Sequence, residues 1–165
     1  MALITRGIVS IALGAINVDG GPGTTLATLG LTKKGTAKIQ QDDGTTTDIM
    51  AEESDTPVES ITTAGSTTFV WTILNPDIDT AIALFGGTAT GTSPNRVWNM
   101  PASVVAIEQT VKITPTKGMS VIFPRAQVTV KLNGDFTKED VFGFDVSIKA
   151  LQPTKSGVGP VQFQQ

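Results

Sequence analysis

The chain contains no cysteine, no histidine and no tyrosine. Without cysteine there is no disulfide framework, no thiol nucleophile and no thiolate metal site. Without histidine the commonest general acid–base group and the commonest transition-metal ligand are both missing. Most hydrolytic triads and zinc sites are thereby excluded, and neither an enzymatic role nor a cofactor is expected. Charge is scarce at 16% of residues and aromatics at 5%. A chain with so few ions has little to hold its copies apart. The net charge of −3 offers no basic footprint for reading nucleic-acid sequence. No apolar run approaches the length of a membrane span.

What is present favours strands and turns. At 165 residues the chain reads as one domain, 1–165, with 17 glycines, 9 prolines and abundant threonine. Residues 103–132 alternate apolar and polar for almost their whole length. Val105, Ile107, Val111 and Ile113 hold odd positions, and after Phe123-Pro124-Arg125 the apolar set moves to Ala126, Val128, Val130 and Leu132. Period-two alternation gives a strand with one dry and one wet face. The phase flip beside a proline predicts a bulge or a crossing between sheets.

Elsewhere the signals are shorter. Residues 4–16 read as a largely buried first strand, although Arg6 before an apolar stretch has the outline of a secretory leader. Residues 34–40 and 46–51 flank Gln41-Asp42-Asp43-Gly44, an Asp-Gly hairpin signal. Residues 57–62 form another strand. Residues 67–74 follow as a central one, with Phe69, Trp71 and Ile73 on one face and Val70 on the other. A helix is predicted over 76–86, with Asn75 as N-cap, Pro76 first, Asp77 and Asp79 at the positive dipole end, and Gly86-Gly87 as the stop. Ile78, Ile82 and Phe85 would face the core. Residues 88–95 read as a loop, and Val97-Trp98 opens an extended segment. Residues 141–151 alternate without a fault, with Phe142, Phe144, Val146, Ile148 and Ala150 inward. The Gly/Pro/Gln-rich tail after Pro153 cannot form a core element alone, and a neighbouring subunit would supply its hold.

The acidic groups Asp42/Asp43, Glu52/Glu53/Asp55 and Asp135/Glu139/Asp140 lack calcium-loop spacing and read as solvated turns. The glycine-rich stretch Asp19-Gly20-Gly21-Pro22-Gly23 lacks the Lys-Ser/Thr of a phosphate loop. Trp98 beside Asn99-Met100-Pro101 stands out, because loop tryptophans are enriched in interfaces.

Five segments carry a resemblance. They are Asp55-Thr56-Pro57-Val58-Glu59-Ser60, Asp79-Thr80-Ala81-Ile82-Ala83-Leu84-Phe85-Gly86-Gly87-Thr88 and Trp98-Asn99-Met100-Pro101-Ala102, then Phe123-Pro124-Arg125-Ala126 and Phe144-Asp145-Val146-Ser147-Ile148-Lys149-Ala150-Leu151-Gln152-Pro153. In that order they resemble the major tail, or tail tube, proteins of tailed bacteriophages, across nearly the whole chain. The resemblance implies a mainly β fold, a β-sandwich or partly closed β-barrel with one short flanking helix. It also implies rings, commonly of six subunits, that stack into a tube through which the genome passes without sequence-specific binding. The expected partners are the chain itself and tail proteins such as terminator, tape measure and distal tail proteins. The expected location is the virion tail, after synthesis in the host cytoplasm. The family has no catalytic residues to carry over.

A ring of this kind would satisfy sheet edges that otherwise invite aggregation. An acidic or neutral lumen would let DNA slide. Loop 17–33, the 41–55 region and the tail 152–165 are the expected assembly contacts. Asp42, Asp43, Glu52, Glu53, Asp55, Trp98, Glu108 and Lys112 are candidates for lumen or contact positions. Two alternatives remain open at this level. One is a related injection-system tube or tail adaptor. The other is a secreted β-sandwich binding module or adhesin, which the scarcity of aromatics disfavours.

Overall fold

A computed structural model describes residues 4–165; the first three positions of the expected domain lie outside the described residues. In chain order the elements are β1 (Ser10–Gly14), β2 (Ala27–Thr28), β3 (Lys38–Gln41), β4 (Thr45–Ile49), β5 (Glu59–Thr63) and β6 (Thr67–Ile73). The helix α1 (Ile78–Phe85) follows, then β7 (Thr88–Thr90), β8 (Val97–Asn99), β9 (Ile107–Thr114), β10 (Ser120–Asn133), β11 (Gly143–Ala150) and β12 (Gln162–Gln164). The fold is mainly β with one short helix. Its principal sheet runs β2-β1-β9-β10-β11-β6-β3, with β12 beside β10. The sheet does not close into a barrel. It wraps one core in the sandwich-like manner expected.

Alternation decides that core. Ile11 and Leu13 of β1, Phe69, Trp71 and Ile73 of β6, Val111 of β9, and Val146 and Ile148 of β11 converge on one buried cluster. Each such side chain contributes roughly 1.5–3 kcal/mol when fully buried. Segment 29–33 ties the two sides of the sheet together. Leu29 N–H donates to the Ile11 carbonyl at 2.9 Å, and Lys33 N–H donates to the Thr72 carbonyl at 2.8 Å.

The alternating stretch 103–132 is two strands joined by a turn at 115–119, where Gly118 takes a φ of +110°. The phase flip at Pro124 is a bulge. Phe123 pairs with Val111 but Ala126 pairs with Gln109, so β10 carries one extra residue. The strand stays in one sheet, yet its other border changes partner at this point. Residues 120–122 pair with β12, and 126–133 pair with β11. Proline suits the position because it has no N–H to leave unpaired.

Several expectations are corrected. Buried strand 4–16 shrinks to β1: Gly7 adopts a φ of +67°, and Ile4 and Val9 lie exposed before the strand starts. Val105 precedes β9 and Leu132 lies near the exposed end of β10, so neither joins the core. The helix cap is Asp77, whose side chain accepts from Thr80 N–H at 2.7 Å. Asn75 instead accepts from Leu31 N–H, which fixes segment 29–33. With the helix starting two residues later than Pro76, its buried residues are Thr80, Ala81 and Leu84 rather than Ile78 and Ile82; Phe85 packs at the core margin. The expected loop 88–95 begins with a strand, since Thr88–Thr90 pairs with Val97–Asn99.

Candidate assembly surfaces

The Asp-Gly signal at Asp43-Gly44 does not fold β3 back onto β4. Strand β3 pairs with β6, and β4 pairs with β5. The two ladders are consecutive: Gln41 faces Thr67, Asp42 N–H donates to the Ser66 carbonyl at 2.9 Å, and Thr45 faces Thr63. Together they make one two-stranded arm that leaves the sheet at 42–44 and 64–66. Gly65 permits the junction, because a Cβ there would stand 1.9 Å from the Asp42 carbonyl oxygen.

Every residue of β4 and β5 is exposed on both faces. A two-stranded ribbon with no face buried is marginal by itself. Here the β3–β6 ladder anchors one end, and Thr46–Thr62 and Ser60–Asp48 side-chain bonds cross the ribbon. The arm buries almost nothing against its own subunit.

Five of the candidate residues sit on or at the base of this arm. Asp42 accepts from Ser66 Oγ at 2.6 Å and braces the junction. Asp43 is exposed beside it, and Glu52, Glu53 and Asp55 crowd the exposed tip. None of these five forms an ion pair among the described residues. No group of three or more acidic side chains among the described residues is close enough to hold a metal ion.

The other three candidates are engaged within the subunit. Trp98 is half-buried; its indole N–H donates to the Gly86 carbonyl at 3.0 Å, and its ring lies 5.5 Å from that of Phe85. It therefore holds the helix C-terminus and is not a free loop tryptophan. Glu108 pairs with Arg125 at 2.7 Å beside the bulge, a bond that raises the guanidinium pKa. Lys112 Nζ donates to Gln164 Oε1 at 3.2 Å.

That last contact belongs to the tail. Residues 162–164 add β12 to the free border of β10, Pro153 is buried, and Val161 packs against the core. Lys155 Nζ reaches Asp19 Oδ2 at 2.7 Å, joining the tail to loop 17–25. This bond, followed by the Gly21 N–H, holds the Asp19 carboxyl below its ordinary value. The hold on the tail is thus intramolecular. Loop 17–33 is also partly committed, since 29–33 stitches the sheet.

Sequence reasoning missed two features. Asp48 and Glu59 extend the arm's charge, and Ile49, Met50, Val58 and Ile61 leave apolar side chains exposed on it. A running count of charge would have found the first: residues 42–66 hold seven acids and no lysine or arginine. The wet face of β10, β11 and β6 is not acidic either. It presents Gln127, Thr129, Lys131, Asp145, Ser147 and Lys149, and Asp145 is taken up by Thr72 and Asn133.

No protein-family model matches the chain, and no curated protein sequence matches it. No described helix is long and apolar enough to cross a membrane.

Proposed function

We propose that this chain is a structural subunit that assembles with copies of itself into stacked rings, forming a tube of the bacteriophage tail type. The observation that carries the reading is the arm 42–66. It is joined to the main sheet at 42–44 and 64–66, both of its strands are exposed throughout, and it is charged with a single sign. Strand and side-chain order of this kind is costly unless something is bound. An arm with no role inside the subunit acquires one at a contact between subunits.

The rest of the molecule is compatible with that use. The β10 border at 120–122 is covered by β12, which limits irregular edge-to-edge association. The exposed face of β10 and β11 mixes neutral Gln127, Thr129 and Ser147 with Lys131, Lys149 and Asp145, so its charge is sparse and of both signs. In this reading the tube delivers the genome, and the subunit meets terminator, tape measure and distal tail proteins at its ends.

The test is negative-stain electron microscopy of the purified protein at high concentration. Rings or tubes with a central channel are expected. Particles that stay strictly monomeric, also with tail-tip components present, would overturn the reading.

A further inference from the structure

The seven acids of residues 42–66 are nearly half of the chain's 15, and the remaining residues carry 12 basic side chains against eight acidic ones. The molecule is therefore a dipole of segments: an acidic arm on a basic body. Four of the basic residues, Lys33, Arg96, Arg125 and Lys155, are neutralised by ion pairs within the subunit. Arg6 and Lys34 are exposed and form no ion pair among the described residues.

These two line an open groove of about 820 Å³ that runs between residues 5–10, 28–39 and the β9–β10 turn. Its wall is apolar, with Val9, Leu31 and Ile39 exposed into solvent at 66%, 68% and 46%. No acidic residue lines it. The arm has the opposite character: apolar Ile49, Met50, Val58 and Ile61 set among carboxylates. An apolar segment with acidic flanks fits an apolar trough with basic flanks, since contact buries both apolar surfaces and pairs the charges.

We infer that this groove receives the 42–66 arm of a second copy of the same chain. The arm does not occupy its own subunit's groove, because β4 and β5 are exposed throughout. Donor and acceptor are different surfaces, so the contact is head-to-tail. Such contacts either close into a ring or continue as an open stack. The inference rests on the self-assembly reading above and names the two surfaces that would carry it.

The test uses variants that each disable one half. In an armless chain, residues 42–66 are replaced by Asn-Gly; Gln41 and Thr67 already face each other, so a two-residue turn joins β3 to β6. A groove-reversed chain carries Arg6→Glu and Lys34→Glu. An arm-reversed chain carries Glu52→Lys, Glu53→Lys and Asp55→Lys. All substituted side chains are exposed, and cooperative melting of each variant is the folding control. Wild type should assemble, and each variant alone should remain monomeric by light scattering. A mixture of armless and groove-reversed chains should give a 1:1 heterodimer and nothing larger. A mixture of arm-reversed and groove-reversed chains should recover extended assembly, weakened by added salt. Variants that assemble like wild type, or mixtures that stay monomeric, overturn the inference. If wild type forms tubes while every variant does too, only the docking mode fails. If the mixtures behave as expected but wild type forms filaments without a channel, only the tube reading fails.

Discussion

The hydroxyl of Thr110 donates to the Pro124 carbonyl at 2.8 Å, across the bulge that separates the two halves of β10. The same oxygen accepts from Gly23 N–H at 2.8 Å, so one fully buried threonine satisfies two backbone groups from distant segments. Replacing Thr110 by valine keeps the shape and removes both bonds. Leaving buried backbone groups unpaired costs about 1–3 kcal/mol. Thr110→Val should therefore lower the urea midpoint without changing the denaturant slope, while Thr110→Ser should retain most of the stability. Equal midpoints for the two variants would show that the hydroxyl bonds contribute nothing.

Asp77 rather than Asn75 caps the helix. Asp77→Ala should cost about 1 kcal/mol, and Asp77→Ser much less, because serine restores the acceptor. Asn75→Ala should act elsewhere, raising amide exchange at Leu31, to which Asn75 is bonded. Urea denaturation and residue-resolved exchange check the pair. An Asn75→Ala variant whose loss is confined to the helix amides would contradict the cap assignment.

Acid should loosen the tail and the helix start together. Asp19, Asp77 and Asp140 all lie below the ordinary carboxyl value of 3.8, held down chiefly by bonds from Lys155, Thr80 and Lys33 in turn. A lowered folded-state value means stabilisation that is complete above 3.8 and lost as the pH falls through the lower folded values. The urea-midpoint gap between wild type and Asp19→Asn should be constant at neutral pH and should close as the pH drops below 3.8. A gap that persists at the acid end would show that the Asp19 charge is not its source.

At the arm junction, Gly65→Ala should separate assembly from folding. The added methyl meets the Asp42 carbonyl, so the 42–66 pairing must shift while the core cluster, built from other residues, is untouched. Amide protection should fall within β4 and β5 and stay high in β10 and β11. Light scattering should report weaker self-association. Unchanged protection across the arm would mean that the junction tolerates a side chain.

Removing residues 161–165 tests the tail. It strips β12 from residues 120–122 of β10 and withdraws Val161 from the core margin. A lower melting temperature and a greater tendency to aggregate through the bared edge are expected. A truncated chain that melts like wild type and stays soluble would show that β12 adds nothing to the fold.

Much of this architecture is written in local pattern. Alternation in 107–114, 120–133 and 143–150 sets three strands and most of their buried residues, because a strand has a period of two whatever it pairs with, although it put exposed Leu132 inside and fully buried Thr110 outside. The phase change at Pro124 marks an irregularity that could be a bulge or a crossing between sheets, which the register resolves as a bulge, and Gly86-Gly87 marks the helix end. The acidity of 42–66 is equally a property of the chain alone. What sequence could not decide was partner choice. Asp43-Gly44 is a valid local turn signal, yet β3 pairs with β6, where Ile39 meets Phe69 across the ladder, and β4 is left to β5. The polar tail, unable to form a core, found the open border of β10. The groove joins residues 5–10 with 28–39 and the β9–β10 turn, segments brought together only when the sheet wraps its core. Pattern is local and is set by backbone geometry; pairing is non-local and is set by which edges and apolar faces remain to be covered.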